Sequence, residues 1–183
     1  INHQVDFQFA DADSITLTAK EINLNYISNA YFTKTTAGEV NIHVDGKFIW
    51  AGGNNLYLGS PTGFIDSFYA DTIDVSGNPK TLLFDLYVNK IDCATTSFIS
   101  DDGTKSATVN LYINKLNADA PIFYFGTTTK LEDNVINIDF TYADVEGLSA
   151  GEYEILFVDS WSEGFADGGS LTDFNINDDH LNA

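Results

Sequence analysis

The chain lacks arginine and methionine altogether, and it holds one cysteine and three prolines in 183 residues. Arginine is the side chain that most often makes bidentate contacts to phosphate and guanine. The eight lysines face 27 acidic residues, and the net charge of −19 removes the counterion release that drives nucleic-acid binding. We therefore expect no nucleic-acid partner, and the same charge disfavours anionic membrane surfaces.

Long apolar runs are also missing. No run approaches the roughly 18–20 residues that a spanning helix needs, so we expect no membrane insertion of this segment. Cys93 has no partner for an internal disulfide and is expected in the core. The chain opens on Ile1 without a signal peptide, which indicates a trimmed piece of a longer protein. Its 44% hydrophobic residues suffice for a single domain over residues 1–183.

An internal repeat is the strongest signal in the sequence. Shifting the chain by 25 positions aligns residues 85–92 with residues 110–117, and every pair is identical or conservative. A shift of 18 aligns residues 68–74 with residues 86–92. These shifts predict a set of equivalent positions: Leu24, Ile42, Phe68, Leu86, Leu111 and Ile138. A unit this short cannot bury its own apolar face, so its copies are expected to stack.

Inside each unit apolar and polar residues alternate, which is typical of a half-buried β-strand. The alternation slips after the Asn-Lys dipeptides at 89–90 and 114–115, which predicts a corner there. Turn-rich segments separate the units, and helical spacing is nearly absent. The sequence therefore predicts an all-β chain.

A parallel β-solenoid and an antiparallel β-sandwich both fit this pattern. The solenoid is favoured because equivalent segments resemble one another while the loops between them vary in length. In a solenoid, five polar residues between apolar neighbours are predicted to form one stacked column: Asn23, Asn41, Asp85, Asn110 and Asn137. The coils are expected over residues 14–146, followed by a C-terminal strand and cap over 147–177 and a frayed tail over 178–183. Residues 153–176 are expected to form the cap that covers the open end of the stack, and a closing hairpin is one structure that this cap could take.

The repeats, together with the Gly-Leu-Ser-Ala-Gly-Glu-Tyr-Glu-Ile-Leu stretch at 147–156, resemble the passenger regions of bacterial autotransporter-type (type V secreted) surface proteins. Such a strand commonly closes a right-handed parallel β-helix in that family. The resemblance implies a right-handed solenoid and an extracellular location at the bacterial cell surface, often as an adhesin. The membrane barrel and signal peptide typical of the family do not occur in this sequence.

No motif in the sequence predicts a metal, a cofactor or a catalytic residue. Residues 11–22 begin like an EF-hand loop, but Thr16 and Ile22 replace its glycine and glutamate. Residues 168–173 match a calcium-binding nonapeptide only in part. The three histidines, His3, His43 and His180, show no zinc-ligand spacing.

An enzyme on this scaffold would need a pair of carboxylates, as in glycoside hydrolysis. The candidates are Asp66, Asp71, Asp74, Asp85 and Asp92, but so many aspartates produce close pairs by chance. We therefore expect a protein without catalytic activity. A polysaccharide hydrolase or lyase is the alternative.

The candidate ligand-binding residues are outward-facing tyrosines and the amides that flank them: Tyr69, Tyr87, Tyr112, Asn89 and Asn114. Aromatic rings beside amides suit contact with a glycan or with a host or neighbour-cell surface protein. The same pattern also fits tyrosines that merely stabilise adjacent strands. The leading hypothesis is an adhesin-like surface segment that presents a rigid face, and a self-associating surface-layer component is a further alternative.

Overall fold

The computed structural model describes residues 4–25, 27–50, 55–74, 82–97, 107–116, 120–129, 135–144, 146, 151–161 and 174–179. Thirteen β-strands lie in these ranges. The odd-numbered strands are β1 (Gln4–Phe9), β3 (Asn29–Lys34), β5 (Asn55–Leu58), β7 (Leu82–Tyr87), β9 (Ala107–Tyr112), β11 (Val135–Asp139) and β13 (Phe174–Asn177). The even-numbered strands are β2 (Ser14–Asn23), β4 (Glu39–Ile49), β6 (Ser67–Asp74), β8 (Ile91–Ser97), β10 (Phe123–Thr129) and β12 (Leu156–Trp161). No helix long and apolar enough to cross a membrane occurs in the described part of the chain.

The strands form two sheets that the chain visits in turn. The odd strands make a seven-stranded sheet and the even strands a six-stranded sheet, each in chain order. All the paired strands run parallel, as in the pairs β1–β3 and β2–β4. Each circuit therefore adds one strand to each sheet, which confirms the predicted β-solenoid. An antiparallel sandwich is excluded by the parallel pairing.

The 25-residue repeat is confirmed by the strand register in the odd-strand sheet, but the predicted match of Ile91 with Leu116 is wrong, because Ile91 pairs with Phe123. Asp85 pairs with Asn110 and Tyr87 with Tyr112 on the neighbouring strands β7 and β9. The predicted equivalence across 18 residues is wrong, because Phe68 lies in the even-strand sheet and pairs with Ile42 and Ile91. Both sheets face one core and so show the same alternation. A shift of 18 thus superposed an even strand on an odd one.

The predicted corner after Asn89 is present. Strand β7 ends at Tyr87 and β8 begins at Ile91, so residues 88–90 connect the two sheets. Val88 and Ile91 are both buried, although an extended strand would place them on opposite faces. The turn of the chain between them explains the slip in the alternation.

One hydrophobic cluster fills the space between the two sheets. Along the even-strand sheet, one inward-facing position of each strand forms a column of Leu17, Ile42, Phe68, Ile91, Phe123 and Leu156. The Phe48 ring packs edge-on against Phe68 at a centroid distance of 5.4 Å. Cys93 is fully buried, as predicted, and its burial raises the pKa of the thiol.

The C-terminal strands continue the stack. Strand β12 pairs in parallel with β10, and β13 pairs in parallel with β11. The closing hairpin expected over residues 153–176 is therefore wrong. Residues 156–161 instead form a further parallel strand, in which Leu156 joins the inner column beside Phe123. Residues 147–150, 162–173 and 180–183 lie outside the described ranges.

Candidate binding surfaces

Tyr87 and Tyr112 lie on the outer face of the odd-strand sheet, one above the other. Their ring centroids are 4.0 Å apart and the planes differ by 2°. Phe64 and Tyr142 pack edge-on against Tyr87 at 5.4 and 5.9 Å, which leaves Tyr87 only 9% exposed. Burial raises the pKa of both stacked hydroxyls. Tyr87 thus offers no open ring face to a sugar, and the stack stabilises adjacent strands.

Tyr69 belongs to the other sheet, so the predicted equivalence of the three tyrosines is wrong. Its ring stacks on His43 of the preceding coil at a centroid distance of 4.4 Å. The Tyr69 hydroxyl donates a hydrogen bond to Asp71, and that bond raises the pKa of the phenol. His43 Nε2 lies 2.8 Å from Asp45 Oδ1. These two rings therefore stand on an outer face with carboxylates beside them.

The outer residues in register with Tyr69 form a column along the even-strand sheet, here called the aromatic column. Its members are Thr18, His43, Tyr69, Asp92, Tyr124 and Phe157. Tyr124 and Phe157 stack at 5.5 Å between centroids. Sequence analysis missed His43, Tyr124 and Phe157 as members, because the column follows strand pairing rather than an 18-residue spacing.

A polar column runs along the outer face of the odd-strand sheet. Asn175 Nδ2 donates to Asn137 Oδ1 at 2.9 Å, and Asn137 Nδ2 donates to Asn110 Oδ1 at 2.6 Å. Asn110 Nδ2 donates in turn to Asp85 Oδ1 at 2.7 Å. The predicted stacking of Asp85, Asn110 and Asn137 is thus present, and the Asp85 carboxylate accepts at the end of the chain of amides.

The two other residues predicted for the polar column lie elsewhere. Asn41 pairs with Thr16 and Ser67 and Asn23 pairs with Ile49, all in the even-strand sheet. Their inclusion was wrong for the same reason as the 18-residue shift. The polar column is therefore confined to the later coils of the odd-strand sheet.

Asn89 and Asn114 do not flank an open tyrosine surface; they stack at the corner between the sheets. Asn114 Nδ2 donates to Asn89 Oδ1 at 3.2 Å, and Asn89 Nδ2 donates to Asp66 Oδ1 at 3.3 Å. Lys34 Nζ lies 2.6 Å from Asp66 Oδ2, with the two side chains 10% and 25% exposed. These residues line a polar depression of about 340 Å³ that we call the corner groove. Sequence analysis missed Lys34 as part of this cluster.

The Asp66 carboxyl has a lowered pKa. Burial alone would raise it, but the hydrogen bond and charge of Lys34 and the Val40 N–H, 2.8 Å from Oδ2, outweigh burial. Because the pKa of Asp66 is lower in the folded protein than the unfolded value of 3.8, the ionised carboxylate stabilises the fold at pH values above 3.8. This stabilisation is lost as the pH falls through the folded-state pKa. The free energy of unfolding of Asp66→Asn is therefore expected to fall less than that of the unaltered protein as the pH is lowered. Urea unfolding between about pH 6 and pH 2 measures this difference.

Asp71→Asn is the matched control, since Asp71 is exposed and Tyr69 is the one residue in the described part of the chain that hydrogen-bonds its side chain. The control is expected to keep the acid dependence of the unaltered protein. An unchanged acid dependence in Asp66→Asn would contradict the assignment.

The five aspartates that were candidates for a catalytic pair do not all lie at one place. Asp66 lies at the corner, and Asp85 lies in the polar column of the odd-strand sheet. The remaining three, Asp71, Asp74 and Asp92, lie on strands of the even-strand sheet. Within the described ranges, no three His, Cys, Asp or Glu side chains are grouped so as to hold a metal ion. His3, His180 and residues 168–173 lie outside those ranges.

No family model, curated protein or solved structure matches the chain. The likeness to autotransporter passenger regions therefore rests on the sequence pattern alone.

Proposed function

We propose that this chain is a non-catalytic segment of a protein exposed at the bacterial cell surface, where it presents a rigid face to a glycan or to a surface protein of a host or neighbouring cell. The observation that carries the proposal is the aromatic column, which places stacked rings on an outer face in strict strand register. The hydrophobic cluster behind the column holds its spacing. Such an arrangement holds side chains in place for contact with a partner, and binding of this kind requires no catalytic residue.

The aromatic column offers two kinds of contact. The His43 and Tyr69 rings are stacked on each other, so their edges and hydroxyl face outward rather than their flat surfaces. Asp45 and Asp71 hydrogen-bond these two rings and supply acceptors beside them. Ring edges next to carboxylates suit sugar hydroxyls or the basic side chains of a protein partner.

The test is binding of the labelled protein to a glycan array and to intact cells, with a His43→Ala, Tyr69→Ala double variant. We expect this variant to lose about tenfold in affinity, since aromatic contacts contribute about 0.5–1.5 kcal/mol each. The matched control is Tyr31→Ala, Tyr57→Ala, which removes a similar stacked pair, 4.7 Å apart, from the opposite sheet. The control is expected to bind as the unaltered protein does.

Three outcomes contradict the proposal. Equal losses of affinity in the two double variants would show that the aromatic column is not the contact face. Release of oligosaccharides would support a polysaccharide hydrolase or lyase instead. Concentration-dependent assembly without binding to any glycan or cell would support a self-associating surface-layer component.

Protease treatment of intact cells that make the protein tests its location, since a segment at the cell surface is expected to be cleaved.

A further inference from the structure

The corner groove has a fixed wall formed by the connection between β5 and β6. Ser60 and Gly63 exchange backbone hydrogen bonds of 3.1 and 3.0 Å, and Gly59 has a φ of 77°, which a residue with a side chain rarely adopts. A side chain at position 63 would collide with the Lys34 carbonyl oxygen. The connection is therefore pressed against the end of β3, and the groove is bounded by backbone that has little room to move.

The groove is rich in hydrogen-bond donors. Each asparagine amide nitrogen carries two hydrogens and each lysine ammonium carries three. Asn89 and Asn114 each use one hydrogen within the row that ends at Asp66. Lys34 is bonded to Asp66, and the exposed Lys115 bonds to no described residue. Among the described residues, Lys115 and the second hydrogen of each amide are thus the donors that remain for a ligand.

The groove is also locally cationic in an acidic protein. Lys34 and Lys115 line it with Asp66, which leaves one positive charge in excess among these three groups. The chain as a whole carries −19. Charges farther apart than about 8 Å are largely screened at physiological salt, so a small ligand in the groove meets mainly these three groups and Asp144, whose N–H bonds the Asn114 carbonyl at 2.9 Å. A long polyanion would instead meet the acidic surface beyond the groove.

The remaining acceptors indicate what else the ligand must carry. The Asp66 carboxylate already accepts from Lys34, Val40 N–H and Asn89, but the Asn114 side-chain oxygen is a further acceptor, so a ligand that offers only acceptors, such as a phosphate, would leave it unmatched. Adjacent sugar hydroxyls donate and accept at once and suit a row of amides. The volume of about 340 Å³ lies at the low end of small-molecule sites, near 300 Å³, and suits one ring. Phe64, which also lines the groove, adds an apolar contact.

We propose that the corner groove binds a single sugar residue that bears a carboxylate, such as a terminal uronic acid. The sugar carboxylate faces Lys115, and adjacent hydroxyls bond the row formed by Asn114, Asn89 and Asp66. This site goes beyond the proposed function, because it lies at the corner and not on the aromatic column. The two sites are therefore separable by mutation.

The experiment is a titration of the purified full chain with methyl glucuronide and, separately, with neutral methyl glucoside, followed by NMR of the asparagine side-chain amides in about 0.15 M salt, where the distant acidic residues are screened. We expect the glucuronide to bind about tenfold more tightly and to shift the Asn89 and Asn114 signals, because charge-assisted hydrogen bonds are the stronger ones. Lys115→Gln is expected to reduce this preference to about twofold or less, since it removes the charge that faces the carboxylate.

Lys20→Gln is the matched control, because Lys20 is an exposed lysine on β2 that does not line the groove. It is expected to retain the preference for the glucuronide. The proposal is overturned if neither sugar shifts the two amides, if both bind equally, or if Lys20→Gln and Lys115→Gln have the same effect. None of these results depends on the His43–Tyr69 pair, so failure here leaves the proposed function standing.

Discussion

Phe68→Ala is expected to lower the free energy of unfolding by about 3–5 kcal/mol, the usual cost of truncating a buried phenylalanine. The Phe68 side chain is 1% exposed and lies in the inner column between Ile42 and Ile91. Urea unfolding followed by circular dichroism measures the loss.

Two variants separate the loss of packing from a general sensitivity of the strand. Phe68→Leu keeps most of the volume and is expected to cost about 1.5 kcal/mol or less. Tyr69→Ala changes the adjacent outward residue and is expected to cost less than about 1 kcal/mol. A loss in Tyr69→Ala as large as that in Phe68→Ala would show that the inner column does not dominate stability.

Gly126→Ala is expected to lower the free energy of unfolding by about 3 kcal/mol, at the upper end for overpacking a well-filled site. Gly126 lies in β10 between residues that pair with Cys93 and Thr95 of β8. An added Cβ would collide with the Ala94 carbonyl oxygen, which belongs to the backbone. The collision is relieved if β8 and β10 move apart, and thermal unfolding followed by tryptophan fluorescence measures the effect.

The Ala94→Gly, Gly126→Ala double variant tests this cause. The atoms of Ala94 nearest to the added Cβ are backbone atoms, so removing the Ala94 methyl group is expected to give no rescue. Ala94→Gly alone is expected to cost about 1 kcal/mol or less. Recovery of stability in the double variant would assign the collision to side chains and contradict the prediction.

The sequence was sufficient to predict that successive coils stack, but it did not show which strands belong to which sheet. The match between residues 85–92 and 110–117 identified true neighbours up to the corner, such as Tyr87 and Tyr112, but not beyond it, where Ile91 pairs with Phe123. The match to residues 68–74 covered one strand only. Alternation reports which residues face the core, and it is the same for two sheets that share that core. Pattern alone therefore could not assign Tyr69 to its sheet.

The corner groove could not be predicted for a different reason. Lys34 and Asp66 are 32 positions apart, and their contact depends on how the connection after β5 packs against β3. Asn89 and Asn114 were identified from the repeat, but their side chains turn toward the corner and not toward the tyrosines. Contacts of this kind follow from loop conformation, which has no period in the sequence.

The corners also determine how such a chain tolerates change. Residues 88–90 join β7 to β8 and residues 113–122 join β9 to β10, yet Phe123 still pairs with Ile91. The register between β8 and β10 is thus kept although the second connection is longer. Insertions into that longer connection are the changes that evolution, or an engineer grafting a foreign peptide, makes at low cost to the fold, whereas residues 88–90 hold the buried Val88 and the hydrogen-bonded Asn89.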